Sequence, residues 1–130
     1  MEYHLYGEKQ GKTYYSSALY FDEKGIIITD MQDYLDDDGC WEEYYTVKPE
    51  HFNKLLNKLE AYLKLNTIEN LDNETKTAYD SLNDELTKKL FLSIYCISKT
   101  SEKSIHGFAL VEAICGSEIP YEKSIYSKGA

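Results

Sequence analysis

TYYSSALYFDEKGIIIT, residues 13–29, is the stretch on which the fold turns. Residues 13–21 are rich in Tyr and Thr, as strands are, because aromatic and β-branched side chains pack well on a pleated surface. Asp22-Glu23-Lys24-Gly25 reads as a tight connection, with Gly25 at the position that needs a positive φ. Ile26-Ile27-Ile28-Thr29 is the strongest β-branched run in the chain. The spacing therefore predicts an antiparallel hairpin of residues 13–21 and 26–30.

Upstream, residues 2–6 form a short candidate strand, followed by a turn over residues 7–12 with Gly at both 7 and 11. Downstream, residues 42–47 alternate enough to make a third main strand, with Tyr44 and Tyr45 on opposite faces and one of the two buried. The acidic segment 32–40 between them is expected as a long loop on the sheet. Pro49 then opens a helix, with Glu50 suited to the positive end of the helix dipole. Phe52, Leu55, Leu56, Leu59, Tyr62 and Leu63 repeat at helical spacing and form one apolar stripe. Residues 66–74 read as a loop with a turn of helix. A second helical pattern starts at Thr75 and runs through the apolar block 90–97 without Gly or Pro, so it is read as continuous until Thr100 to Lys103 break it. Residues 104–115 look like a third helix closed by Gly116. Residues 119–126, with Pro120 near the start, suit an edge strand. The expectation is one α+β domain over residues 1–130. It has a mainly antiparallel N-terminal sheet, two or three helices packed on one face, and a C-terminal edge strand.

Charge is distributed unevenly. The chain carries a formal charge of -9, and DMQDYLDDDGCWEEYY, residues 30–45, accounts for -7 of it. The same window holds the only Trp, Trp41. A concentrated negative field with aromatic anchors suits capture of a basic protein partner, and the residues expected to make that contact are Asp33, Asp36, Asp37, Asp38, Trp41, Glu42 and Glu43. All fourteen basic residues are Lys, so the bidentate guanidinium fork common at phosphate sites is missing, and nucleic-acid binding is not expected. The three Cys are far apart and follow no metal-ligand or disulfide spacing; Cys96 and Cys115 read as small core side chains. MEYHLYGEKQ at the start has no basic region followed by an apolar run, and no stretch approaches the roughly 20 apolar residues of a membrane span, so a cytoplasmic protein is expected.

Three kinds of chemistry compete with plain surface roles for these residues. Aligning Gly39 to the sixth position of a calcium loop puts Tyr34 first and Tyr45 twelfth, neither of which supplies a carboxylate, so no metal site is expected. Paired carboxylates can act as general acid and base, but consecutive Asp36-Asp37-Asp38 beside Gly39 points to solvated, ionised groups. His4, His51 and His106 have no partner identifiable in sequence, and neither a nucleophile elbow nor a phosphate-binding Gly loop occurs. Neither a catalytic residue nor a cofactor is expected.

Several features recur in an order that resembles a known group. They are Gly25 with Ile26-Ile27-Ile28, Gln32-Asp33, an acidic Gly-containing loop, Glu43-Tyr44 with Val47, the helix around Leu55-Leu56 and Leu59, and Ile119-Pro120-Tyr121. Over residues 25–63 and 110–126 the chain resembles the small acidic immunity proteins of bacterial polymorphic-toxin and contact-dependent growth inhibition systems. Where similar sequences carry Gly soon after the Gln-Asp pair, this chain has Tyr34 and Leu35. The resemblance implies a cytoplasmic, non-enzymatic protein that binds a cognate toxin domain, commonly a nuclease, and blocks its active site. Two other readings stand beside it: an acidic DNA mimic that inhibits a nucleic-acid enzyme, and a small carboxylate-dependent enzyme. The near-balanced charge outside residues 30–45 speaks against a whole-face DNA mimic. Either a monomer or a homodimer through an exposed edge strand is compatible with the sequence.

Overall fold

The computed structural model describes residues 1–36, 38–63, 69–99 and 104–129. Five strands form one antiparallel sheet in the order of the chain: β1 (Glu2–Gln10), β2 (Thr13–Asp22), β3 (Gly25–Tyr34), β4 (Cys40–Val47) and β5 (Glu122–Lys128). The central hairpin forms as its sequence predicts, with Gly25 at φ 128°. A side chain there would strike the Val47 carbonyl oxygen at 2.1 Å, so glycine is needed both for its dihedral and for the close approach of β4. The fold is α+β, and β5 is its C-terminal edge strand.

Three strands are longer than the sequence suggests. β1 continues to Gln10, and the turn shrinks to Gly11-Lys12, with Gly11 at φ 61°. Gly7 lies inside β1 because the Tyr14 hydroxyl of β2 lies over it, 2.2 Å from where a Cβ would sit. Likewise β3 runs on to Tyr34 and β4 begins at Cys40, so of residues 32–40 only Leu35, Asp36, Asp38 and Gly39 are described outside the strands. The long acidic loop expected over residues 32–40 is thus a hairpin end. Ladder pairs Gln32 with Trp41 and Asp33 with Cys40 continue the sheet through it. Polar residues do not prevent pairing there, since the backbone ladder makes no demand on side-chain polarity.

Among the described residues, four helices cover one face: α1 (Phe52–Leu59), α2 (Asn73–Ser81), α3 (Glu85–Lys99) and α4 (Gly107–Cys115). The Pro49 start holds, with one tight turn before α1 and another after it. The pattern expected to run unbroken from Thr75 divides at Leu82-Asn83-Asp84. Asp84 Oδ1 accepts the Thr87 N–H at 2.8 Å and caps α3, while Asp72 caps α2 through the Thr75 N–H at the same distance. A capping Asp can therefore restart a helix without Gly or Pro. The third helix starts at Gly107 rather than 104, and it ends at Gly116, φ 54°, as expected. Residues 100–103, expected to break the chain before it, and residues 64–68 of the 66–74 loop lie outside the described residues. β5 starts at Glu122, past Pro120, which cannot donate to a ladder.

Alternation along the strands divides the sheet into two unlike faces. Leu19, Ile28 and Tyr45 lie in one row facing the helices, and Phe21, Ile26 and Val47 lie in the next. They meet Leu55 and Leu59 of α1, Leu90, Phe91 and Ile94 of α3, and Leu110, Val111 and Ile114 of α4. Phe91 is fully buried, edge-on to Tyr3 and Phe21 at 5.4 and 6.3 Å between ring centres. Each such side chain contributes about 1.5–3 kcal/mol of burial. Cys96 and Cys115 are buried, and burial pushes the Cys115 thiol up to about 11. The opposite face carries Tyr14, Tyr20, Met31 and Tyr44, partly covered by one another and by no helix among the described residues. None of the described helices is long and apolar enough to cross a membrane.

Candidate functional site

The helices do not cover the whole inner face. α4 meets β3 partway along, and its first turn is pinned to the sheet. The Gly107 N–H donates to Ser17 Oγ at 3.0 Å, and the Phe108 N–H donates to Asp30 Oδ2 at 2.8 Å. Asp30 thus does at long range what an N-cap does locally, accepting an orphan N–H at the positive end of a helix. Gly107 has φ 59°, and a Cβ there would sit 2.0 Å from Asp30 Oδ1. The carboxylate and the helix start can be this close only because residue 107 has no side chain.

Beyond this point the strands continue without helical cover and leave a cleft of about 220 Å³. Tyr6, Tyr15, Asp30, Gln32, Trp41, Glu43 and His106 contribute to its walls. The ladder explains the set. Asp30 is directly opposite Glu43, and one step outward Tyr15, Gln32 and Trp41 form the next row. A register shift between His4 and Tyr6 pairs Tyr6 with Ser17 and brings its ring to the helix face. There it stacks on His106, ring centres 3.8 Å apart and planes 6° from parallel.

Burial and hydrogen bonding set the charges in the cleft. Burial raises the Asp30 carboxyl above its ordinary range, and nearby Glu43 adds to that; the Phe108 N–H works against it. Glu43 is held low by the hydrogen bond from the Tyr45 hydroxyl (2.5 Å), with the Trp41 indole N–H (3.0 Å) and Lys123 assisting against partial burial. Burial holds His106 below its ordinary value, partly opposed by Asp30, so its ring is neutral at pH 7. Its Nδ1 is buried without a hydrogen-bond partner among the described residues. Lys123 reaches Glu43 only at 4.0 Å from the margin, and no ion pair to Asp30 is formed among the described residues.

The acidic residues expected to act together are divided by the pleat. Asp33 and Glu42 face away from the helices. Glu42 accepts from the Tyr44 hydroxyl at 2.7 Å, and burial together with that bond takes Tyr44 up to about 12. Asp36 and Asp38 are exposed at the hairpin end, Asp36 paired with Lys12 at 2.7 Å. Asp37 lies outside the described residues. Of the described residues in this set, only Trp41 and Glu43 enter the cleft. Tyr45 is buried and Tyr44 faces out, as the alternation requires. Sequence reasoning missed Tyr6, Tyr15, Asp30, Gln32 and His106 as site residues. The period-two spacing of Asp30 with Gln32, and of Trp41 with Glu43, carried part of the signal. The approach of His106, 76 positions from Asp30, left none.

Comparison of the chain with protein-family models, with curated proteins and with solved structures finds no match.

Chemically, the site is rich in acceptors already in use. Glu43 takes two side-chain donors, and Asp30 takes a backbone donor. Two donors hold Glu43 in its ionised form, whereas Asp30, with one, keeps lone pairs open to a further donor. Among the described residues, no three acidic, His or Cys side chains converge as metal ligands.

Proposed function

We propose that this protein is a non-catalytic inhibitor of the immunity type, which binds a basic cognate toxin domain in the cytoplasm of the producing cell with the uncovered end of its sheet. The observation carrying this reading is the union of exposed Asp36 and Asp38 at the hairpin end with the Trp41–Glu43 wall of the cleft behind them. Acidic residues on an exposed hairpin steer a basic surface toward the protein, and an aromatic-lined recess slows its departure. A nuclease toxin fits because its phosphate-binding cleft is positively charged. The two donors that hold Glu43 ionised suit a fixed charge better than they suit the carboxylate-dependent enzyme. The division of Asp33 and Glu42 from Glu43 across the pleat disfavours a DNA mimic, which needs its charges on one face.

The test is binding to the C-terminal domain of a secreted protein encoded beside this chain. Replacing Asp36, Asp38 and Glu43 together by Lys is expected to lower affinity by at least about 100-fold, since close interfacial charge pairs couple by about 1.5–7 kcal/mol. It should also flatten the dependence on salt. Unchanged affinity, or the lack of any such neighbouring toxin domain, sinks the reading.

A further inference from the structure

The cleft has features that a generally acidic surface lacks. Asp30 is a half-buried carboxylate with no ion-pair partner among the described residues, and it faces Glu43 directly across the ladder. An ionised carboxylate removed from water is costly unless a cation or several donors meet it, and Asp30 receives one backbone N–H. Aromatic rings line it: the stacked Tyr6 and His106 at one part of the wall, and Trp41 and Tyr15 from other strands. Trp41 is held by its N–H to Glu43, which fixes the indole beside the negative charge. The space of about 220 Å³ would hold several waters, or the head of one long side chain.

We infer that this cleft is a receptor for one planar cation, the guanidinium of an arginine side chain presented by the protein partner. The inference rests on the binding reading above and names the chemistry of its central contact. Carboxylates meet a guanidinium through paired N–H donors, and its face stacks on aromatic rings, whereas an ammonium satisfies only the charge. Cation–π attraction is strongest on Trp, and that residue is the one tied to Glu43. The protein contains no Arg of its own, so no internal guanidinium competes for the site. Lys123 stops at 4.0 Å from Glu43 and is half exposed, and Lys99, whose charge is felt at His106, spends its ammonium on the Leu5 carbonyl oxygen. Lys12 is engaged with Asp36 at the hairpin end instead.

The experiment needs no toxin. The isotope-labelled protein is titrated with Nα-acetyl-arginine-methylamide, and in parallel with the lysine analogue. The Trp41 indole N–H, the Phe108 amide and Trp41 fluorescence report on the cleft. The expected result is saturable binding with a dissociation constant on the order of millimolar, typical of so small a ligand. The arginine derivative should bind several-fold more tightly than lysine, and Glu43→Gln should weaken it roughly tenfold, the loss of a charge-assisted contact. Tyr15→Ala, on the opposite wall and outside the core, serves as a second variant should Glu43→Gln disturb the fold; it should also weaken binding. No saturation, equal binding of lysine, or binding indifferent to both variants overturns the inference. Toxin binding without arginine binding would leave the immunity reading in place and remove the cleft from it. Arginine binding without any toxin partner would do the reverse.

Discussion

Two rungs of the same ladder, one residue pair apart on the inner face, have opposite fates. Ile28 faces Tyr45 across β3 and β4, and both are 2% exposed beneath the helices. One step along, Asp30 faces Glu43 at the edge of an open cleft, and the step after that pairs Gln32 with Trp41. The backbone pairing is continuous through all of them. What changes is the cover: α4 ends its reach at Gly107, where its first N–H groups are tied to Ser17 and Asp30. A strand's inner residues therefore become core or site according to how far a remote helix extends over them.

The contrast is sharpened most by truncating each rung. Ile28→Ala should cost about 2–5 kcal/mol, a lost buried side chain plus the cavity left behind. Gln32→Ala, four residues along the same strand, should change stability by less than about 0.5 kcal/mol. Urea unfolding of the two variants measures both, and similar losses would show that the two ends of the sheet are not energetically distinct.

A smaller effect is expected at the boundary itself. Gly107→Ala places a Cβ against Asp30 and imposes about 1–2 kcal/mol for a non-glycine residue at positive φ. It should loosen the start of α4 and speed hydrogen exchange at the Phe108 amide, leaving the amides of β2 and β3 beneath α3 protected. Unchanged exchange at Phe108 would mean that Asp30 does not hold the helix.

The smallest effect is a pH dependence centred on the cleft. His106 titrates below its ordinary value of 6.5 because it is buried, so the unfolded chain takes up its proton first. Its contribution to stability is present above pH 6.5 and is lost as pH falls from there through its folded value. Asp30, raised by burial, runs the other way, taking up its proton more readily when folded. Wild type should lose stability between pH 7.5 and about 5.5, and His106→Gln should lose less over the same window. Equal pH profiles in urea unfolding would remove His106 from the account.

Much of the architecture was legible because it rests on local periodicity. The Ile26-Ile27-Ile28 strand, its Gly25 turn, the Phe52–Leu55–Leu59 stripe and the Gly116 stop all follow from neighbours a few residues apart. The break at Leu82-Asn83-Asp84 was also local, but its sign was a capping Asp with Thr three residues on rather than Gly or Pro. The acidic segment has the polarity of a loop, but alternation, not polarity, decides whether a segment pairs, and its residues join the ladder.

By itself the sequence determined the strands, the apolar stripes, the uneven charge and the presence of one Trp amid carboxylates. Only the tertiary structure decided which of those carboxylates share a space. Asp30 and Phe108 are 78 positions apart, and Ser17 and Gly107 are 90 apart. Pairings at that separation are set by how the helices dock on the completed sheet. A β-strand shows which residues share a face; what lies over that face depends on the rest of the chain.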